Sequence, residues 1–206
     1  MPGKFITLEG GEGAGKSLNL GFVRDFLLAR DVRVVTTREP GGTELGEKLR
    51  SVLLGDGKIQ PEAELLLVYA ARAQHLAEII RPALQRGDWV LCDRFSDATF
   101  AYQGGGRRLA VSAIQLLENW VVGDSRPDLT LLLDTPVAVG QARIQRRGAP
   151  DRFEAEETAF FERVRAVYRQ RAAAEPARIK VVDASAELVA VQRQIAACLQ
   201  PLFGVV

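Results

Sequence analysis

Apolar positions recur along this chain with two periods, and the two alternate. Lys4-Phe5-Ile6-Thr7-Leu8-Glu9 is rich in strand formers, and Val32-Arg33-Val34-Val35-Thr36-Thr37, Trp89-Val90-Leu91-Cys92, Leu129-Thr130-Leu131-Leu132-Leu133 and Ile179-Lys180-Val181-Val182 read the same way. Between them the spacing turns helical. Phe22, Val23, Phe26 and Leu27 mark a helix over 18–30, and Leu45, Leu49 and Val52 or Leu53 mark a second that Thr43 would cap. Leu66, Leu67, Ala70, Ala73 and Ala77 recur at threes and fours across 62–85, where Pro82 should kink or restart the helix. Further helices are predicted over 96–102, 111–122, 136–147, 154–174 and 188–202, with 103–108 a flexible glycine loop. Strands alternating with helices, most strands apolar on both faces, predict an α/β fold: a five-stranded parallel sheet covered by helices on both faces.

The first strand runs into Gly10-Gly11-Glu12-Gly13-Ala14-Gly15-Lys16-Ser17, which satisfies the G-x-x-x-x-G-K-[ST] pattern. Glycines let the backbone curl so that successive N–H groups point at phosphate oxygens, and the following helix presents its positive end to the same anion. Lys16 would reach the outer phosphates and Ser17 would hold Mg²⁺. A chance match is expected in roughly one chain of this length in a hundred, so the order strand, glycine loop, helix is what carries the reading.

Composition narrows the partners. The 206 residues suit one domain, and Lys+Arg 27 against Asp+Glu 26 leaves no basic footprint for nucleic acid. Cys92 and Cys198 have neither metal-ligand spacing nor disulfide density, there is no apolar signal segment, and no run of about 18 apolar residues occurs. A cytoplasmic protein with no membrane or nucleic-acid partner is expected. His75 is the only histidine, so no triad or zinc site can be built, and it reads as structural.

In a parallel sheet the loops at the carboxyl ends of the strands converge. Glu9 to Ser17, Arg38-Glu39-Pro40-Gly41-Gly42-Thr43 and Asp93-Arg94 would therefore face one cleft. Phosphoryl chemistry needs a carboxylate near Mg²⁺, and two strands end in Asp. Asp93 is followed by Arg94, a bidentate phosphate donor, and is preferred for the metal; Asp134, followed by Thr135-Pro136, reads as a helix cap. Glu9 could join the metal shell or bind an acceptor.

Taken together, Gly10 to Ser17, Thr37-Arg38-Glu39-Pro40-Gly41-Gly42-Thr43, Ala70-Ala71-Arg72, Asp93-Arg94-Phe95, Ala101-Tyr102-Gln103-Gly104-Gly105-Gly106 and Asp151-Arg152-Phe153-Glu154 resemble the bacterial thymidylate kinases, in family order and across nearly the whole chain. The resemblance implies a single P-loop nucleoside-monophosphate-kinase domain over 1–206 and transfer of the γ-phosphoryl group of ATP to thymidine monophosphate. Mg²⁺ and a homodimer are expected with it. Gly10, Gly11, Glu12, Gly13, Ala14, Gly15, Lys16 and Ser17 would hold ATP, with Ser17 and Asp93 on the metal. Arg38, Arg50 and Arg94 correspond to basic positions around the acceptor phosphate, with Glu39 beside them; Arg50 also reads as a solvated helix charge.

For the base, the resemblance implies Arg72 against a thymine carbonyl and Thr99 and Gln103 at its polar edge. Tyr69, Val68 or Phe95 would supply the stacking wall, and Tyr102 would lie under the sugar. Residues 143–153 resemble a lid. Glu12 leaves the phosphate loop without the basic residue that one family subtype carries there. The chain thus resembles the subtype whose lid supplies that charge, with Arg147 and Arg152 the first candidates and Arg143 behind them. Lys16, Arg94, Arg147, Arg152 and Glu9 are the catalytic candidates. A kinase acting on another nucleoside or monophosphate, and a regulatory ATPase, are the alternatives.

Overall fold

The computed structural model describes residues 3–55, 57–145, 152–154 and 156–204. Strands β1 (Phe5–Glu9), β2 (Val34–Arg38), β3 (Trp89–Asp93), β4 (Leu129–Asp134) and β5 (Ile179–Asp183) form one sheet in the order β2-β3-β1-β4-β5, with every pair parallel. Side chains alternate across it. Ile6, Leu8, Leu91, Leu131 and Leu133 pack on Val23 and Leu27 of α1 (Lys16–Leu28) and on Val191, Ile195 and Leu199 of α9 (Leu188–Leu199). On the other face Phe5, Val90 and Cys92 meet α3 (Pro61–His75), α4 (Arg81–Gln85) and α6 (Val111–Val121). Leu132 and Ile179 meet α7 (Val137–Gln145) and α8 (Thr158–Ala174). The three-layer expectation holds. Because Asp93 is in register with Leu8 on one side and Arg38 on the other, β1, β2 and β3 end along one edge.

The local expectations hold in part. The helical stretch expected over 62–85 forms and restarts at Pro82 as expected, in three pieces: α3, a π-helical turn Leu76–Ile80, and α4 with Pro82 in its first turn. Proline has no N–H to donate, and the widened turn absorbs the missing bond. The apolar stripe expected there points the other way: Leu66, Ala70 and Ala73 of α3 and Ala77 just beyond it are exposed, while Leu65, Tyr69 and Arg72 of α3 and Leu76 beyond it are buried. Glu64, Arg72 and His75 are buried among these apolar residues on the inner face of α3. In α2 (Glu44–Leu54) Thr43 caps as expected, its Oγ1 accepting from Gly46 N at 3.0 Å, yet Leu45 and Val52 are exposed and Leu53 carries the burial.

The glycine segment 103–106 is no loop. Helix α5 (Ser96–Thr99) continues into a π-helical turn Phe100–Gly106 that lies against α8. A Cβ on Gly105 would stand 2.7 Å from Val167 Cγ2, and one on Gly106 2.4 Å from Phe160 Cε2, so the glycines are there for close approach. Asp134 caps nothing. Its carboxylate takes both Nε and Nη2 of Arg165, at 2.7 and 3.0 Å. Helix α8 starts at Thr158, and α9 ends at Leu199 with one 3₁₀ turn, Gln200–Phe203, beyond it.

Candidate active site

The phosphate loop joins β1 to α1 with Gly10, Gly13 and Gly15 at φ 141, 70 and 83, values that a side chain would oppose. A Cβ on Gly10 would lie 2.5 Å from Leu133 O, and one on Gly13 2.2 Å from Gly140 O. Gly140 on α7 is therefore part of the loop's mould, because its own Cβ would stand 2.4 Å from Glu12 O. Lys16 is buried and its Nζ donates to Gly10 O and Gly11 O at 3.2 and 3.0 Å. Burial, then the like charge of Arg94, lowers its pKa, with Glu12, Asp93 and Glu9 opposing.

From this loop a cleft of about 560 Å³ opens toward α2, α3 and the π-helical turn. Glu12 to Leu18, Arg143 and Ile144 line its loop end; Arg38, Glu39, Arg50, Val68, Arg72, Phe95, Thr99, Tyr102 and Gln103 line the far end; Asp93 and Arg94 also line it. Most of the sequence candidates thus converge; among the described ones Glu9, Gly10, Gly11, Tyr69 and Arg152 do not line the cleft. Glu9 is fully buried outside the cleft lining, its Oε1 accepting from Phe95 N and its Oε2 from the Tyr168 hydroxyl, both at 2.7 Å. It is therefore not at hand for metal or acceptor. Tyr69 is a core residue whose hydroxyl donates to Ile114 O and Glu118 Oε2. It stacks under Arg72, 4.9 Å from guanidinium to ring, so it is no wall for a base; Val68 lines the cleft instead, half exposed. Arg147 lies outside the described residues.

Arg152 sits elsewhere than expected of a group closing over the loop. Its Nε donates to Leu53 O at 2.7 Å and its Nη2 to Glu64 Oε2 at 2.8 Å, which ties it to α2 and α3. Among the described arginines of 143–153, Arg143 is the one at the phosphate loop, its Nη1 donating to Gly13 O at 3.2 Å and to Ala184 O.

Arg94 has φ 66, a left-handed conformation that an arginine adopts at a cost of roughly 1–2 kcal/mol. The surroundings hold it there: its N–H donates to Leu8 O, and its guanidinium donates to Gly10 O, Glu12 Oε1 and the Tyr168 hydroxyl oxygen. The Tyr102 hydroxyl donates to the same Glu12 oxygen at 2.8 Å, with Arg94 stacked 4.8 Å over its ring. Glu12, read from the sequence as part of the ATP loop and as an absent positive charge, is the acceptor that aligns both. Burial pushes the Glu9 carboxyl up to about 7, with Asp97 adding to the rise and Arg94 opposing it.

At the far end, Arg38 pairs with Glu47 at 2.8 Å, and Arg50 Nη1 donates to Pro40 O at 2.9 Å. Arg38, its neighbour in charge, holds the Glu47 carboxyl below its ordinary range with the Gly42 N–H. Gln103 Nε2 donates to Glu64 Oε1 at 2.8 Å. Glu64, fully buried, also takes Arg107 and Arg152. Sequence reading missed Glu64, which looks like an ordinary acid of a first helical turn, and Gly140, whose position inside a helix was the available signal. Seven buried side-chain atoms have no hydrogen-bond partner among the described residues, and three of them, Arg72 Nη1, Asp93 Oδ1 and Thr99 Oγ1, belong to residues that line the cleft. Buried polar groups are almost always paired, so three orphans on one cleft mark a place built for a polar ligand.

The model of the family described as thymidylate kinase matches residues 8–195. Thymidylate kinases of Methylococcus capsulatus and Pseudomonas putida are 56% and 60% identical over 203 and 205 residues, covering 98% and 97% of this chain and 98% and 96% of theirs. The crystal structure of thymidylate kinase from Ehrlichia chaffeensis superposes with a TM-score of 0.79 at 33% identity, covering 97% of this chain and 99% of that one. With the phosphate loop, the converging arginines and the sheet order already in place, these likenesses show that the chain belongs to the thymidylate kinase family.

Proposed function

We propose that the cleft carries ATP-dependent phosphorylation of thymidine monophosphate to thymidine diphosphate, with the donor on the phosphate loop and the acceptor at the far end. The carrying observation is the set of unpartnered buried atoms. Arg72 Nη1 is a donor suited to a base carbonyl, Thr99 Oγ1 lies on the same lining, and Asp93 Oδ1 is an acceptor near Lys16. Gln103, fixed through its Nε2 on Glu64, offers its carbonyl oxygen to the polar edge of the base. Arg38, Arg50 and Arg94 would neutralise the acceptor phosphate, since a dianion and a polyanion otherwise repel. No side-chain base is required for an acceptor that is already ionised; the residues position and stabilise charge.

Ser17 and Asp93 suit Mg²⁺. Asp93 Oδ1 is orphaned, Ser17 lines the cleft exposed, and among the described residues no cluster of three or more His, Cys, Asp or Glu competes for a metal. Mg²⁺ takes few protein ligands and completes its shell with phosphates and water, neutralising charge on the transferred group. The resting position of Arg143 against Gly13 O, and the commitment of Glu12 to Arg94 and Tyr102, support arginines of the 143–153 lid as the source of charge over the donor. The exposed stripe Leu66, Ala70 and Ala73 on α3 and Ala77 just beyond it, with Leu116 and Trp120 on α6, supports a homodimer through these helices. A cytoplasmic site of action fits a chain in which no described helix is long and apolar enough to cross a membrane.

A coupled assay offering thymidine monophosphate, uridine monophosphate, cytidine monophosphate and thymidine separately tests the reading. Thymidine monophosphate should turn over fastest. Equal or faster turnover of thymidine, or ATP hydrolysis indifferent to acceptor, overturns it.

A further inference from the structure

Arg72 is 1% exposed and held from one side only. Its Nε donates to Glu39 Oε2 at 2.7 Å, its guanidinium lies between the rings of Tyr69 and Phe95 at 4.9 and 5.0 Å, and Nη1 has no partner among the described residues. The orientation of that free edge therefore depends on Glu39, which is itself buried and carries its second oxygen, Oε1, 2.9 Å from His75 Nδ1. Arg72 and His75 are three residues apart on α3 and so present to the same carboxylate. A carboxylate only accepts, so Nδ1 carries the hydrogen in either protonation state of the ring. His75 Nε2 in turn meets Thr37 Oγ1 at 2.7 Å on β2, and His75 is 0% exposed. Gly42 packs closely on this relay: a Cβ there would stand 2.6 Å from Thr37 Oγ1 and 2.7 Å from His75 Nε2.

We propose that His75 is a positioning residue for acceptor recognition: the relay Thr37–His75–Glu39 fixes the Arg72 guanidinium with Nη1 toward the base. The ring touches no substrate. Without its Nδ1–H, Glu39 Oε1 is left buried and unpaired, and the carboxylate turns to find another donor, taking Arg72 Nε with it. The chain reaches from the end of β2 to α3, so the only histidine ties the loop after β2 to the base site. The proposal rests on Arg72 reading the acceptor base.

The test compares His75→Leu, His75→Asn and His75→Gln with Arg72→Ala, measuring kcat, both KM values and Tm. Asn places an amide N–H near Nδ1 and Gln near Nε2, so Asn alone restores the bond to Glu39. Expected is a rise of about tenfold in the KM for thymidine monophosphate for His75→Leu and His75→Gln, with the KM for ATP within about twofold. His75→Asn should return the acceptor KM to within about threefold of the native value, whatever its Tm. If His75→Leu does not fold, the Asn and Gln variants decide by themselves. An acceptor KM that is unchanged in His75→Leu, or equal in the Asn and Gln variants, while Arg72→Ala raises it, overturns the relay and leaves the base reading intact. Arg72→Ala raising both KM values equally removes the base reading, and the relay with it.

Discussion

Arg94 and Glu12, 82 residues apart in sequence, meet across the mouth of the phosphate loop, with Nη2 donating to Oε1. The contact joins the end of β3 to the loop after β1, and the Tyr102 hydroxyl reaches the same oxygen from the π-helical turn. Glu12→Ala should lower kcat by about 10- to 100-fold, since a guanidinium displaced by an ångström loses its alignment with the transferred group. Glu12→Gln, which keeps the acceptor oxygen, should lose less. Steady-state kinetics check this; equal losses would mean that the charge of Glu12 matters and its geometry does not.

Lys16→Ala should reduce turnover by about 10²- to 10³-fold or more while Tm moves by no more than about 3 °C. Among the described residues Lys16 Nζ hydrogen-bonds to carbonyls of its own loop, and burial already lowers its pKa, so removing it costs the fold little. Turnover and thermal unfolding on the same preparation test it, and near-native activity would take the loop out of the mechanism.

Glu9 gives a pH dependence with a definite sign. Its folded-state pKa, about 7, lies above the ordinary 4.5, so between these values the folded chain holds a proton that the unfolded chain has lost. Stability from this group is full below the lower value and is lost as pH rises through the upper one. Glu9→Gln should therefore flatten the decline between pH 5 and pH 8, gaining on the order of 1–3 kcal/mol relative to the native chain at the alkaline end. Urea titrations at both pH values measure the difference; a constant gap between the two proteins contradicts it.

Gly140→Ala should disturb the donor site from behind the phosphate loop. The new methyl would stand 2.4 Å from Glu12 O, and the phosphate loop must shift or α7 must retreat. The KM for ATP should rise about tenfold, more than that for thymidine monophosphate. An effect on Tm alone would show that α7 gives way and the loop does not.

Trp120, 80% exposed on α6, should report on assembly. The native chain is expected to sediment as a dimer, and Leu66→Glu with Trp120→Glu as a monomer with unchanged far-UV circular dichroism. A native monomer at tens of micromolar would remove the homodimer reading.

By itself the sequence determined the five strands to within about two residues, their parallel arrangement, the phosphate loop and most of the cleft residues. These are local patterns: strand periodicity, glycines at fixed spacing and polar residues at strand ends all act within a few residues of chain. Tertiary structure decided which face of α3 turns inward. Both of its faces carry apolar residues, so periodicity could not separate the buried Leu65, Tyr69 and Leu76 from the exposed Leu66, Ala70 and Ala73. The partners of buried charges were equally hidden. Glu39 with Arg72 and His75, Glu64 with Gln103 and Arg152, and Glu12 with Arg94 are pairs that no spacing encodes, because each carboxylate finds its cation only after the sheet has brought separate loops to one edge. A buried charge tolerates desolvation only beside such a partner, and the partner is a property of the fold.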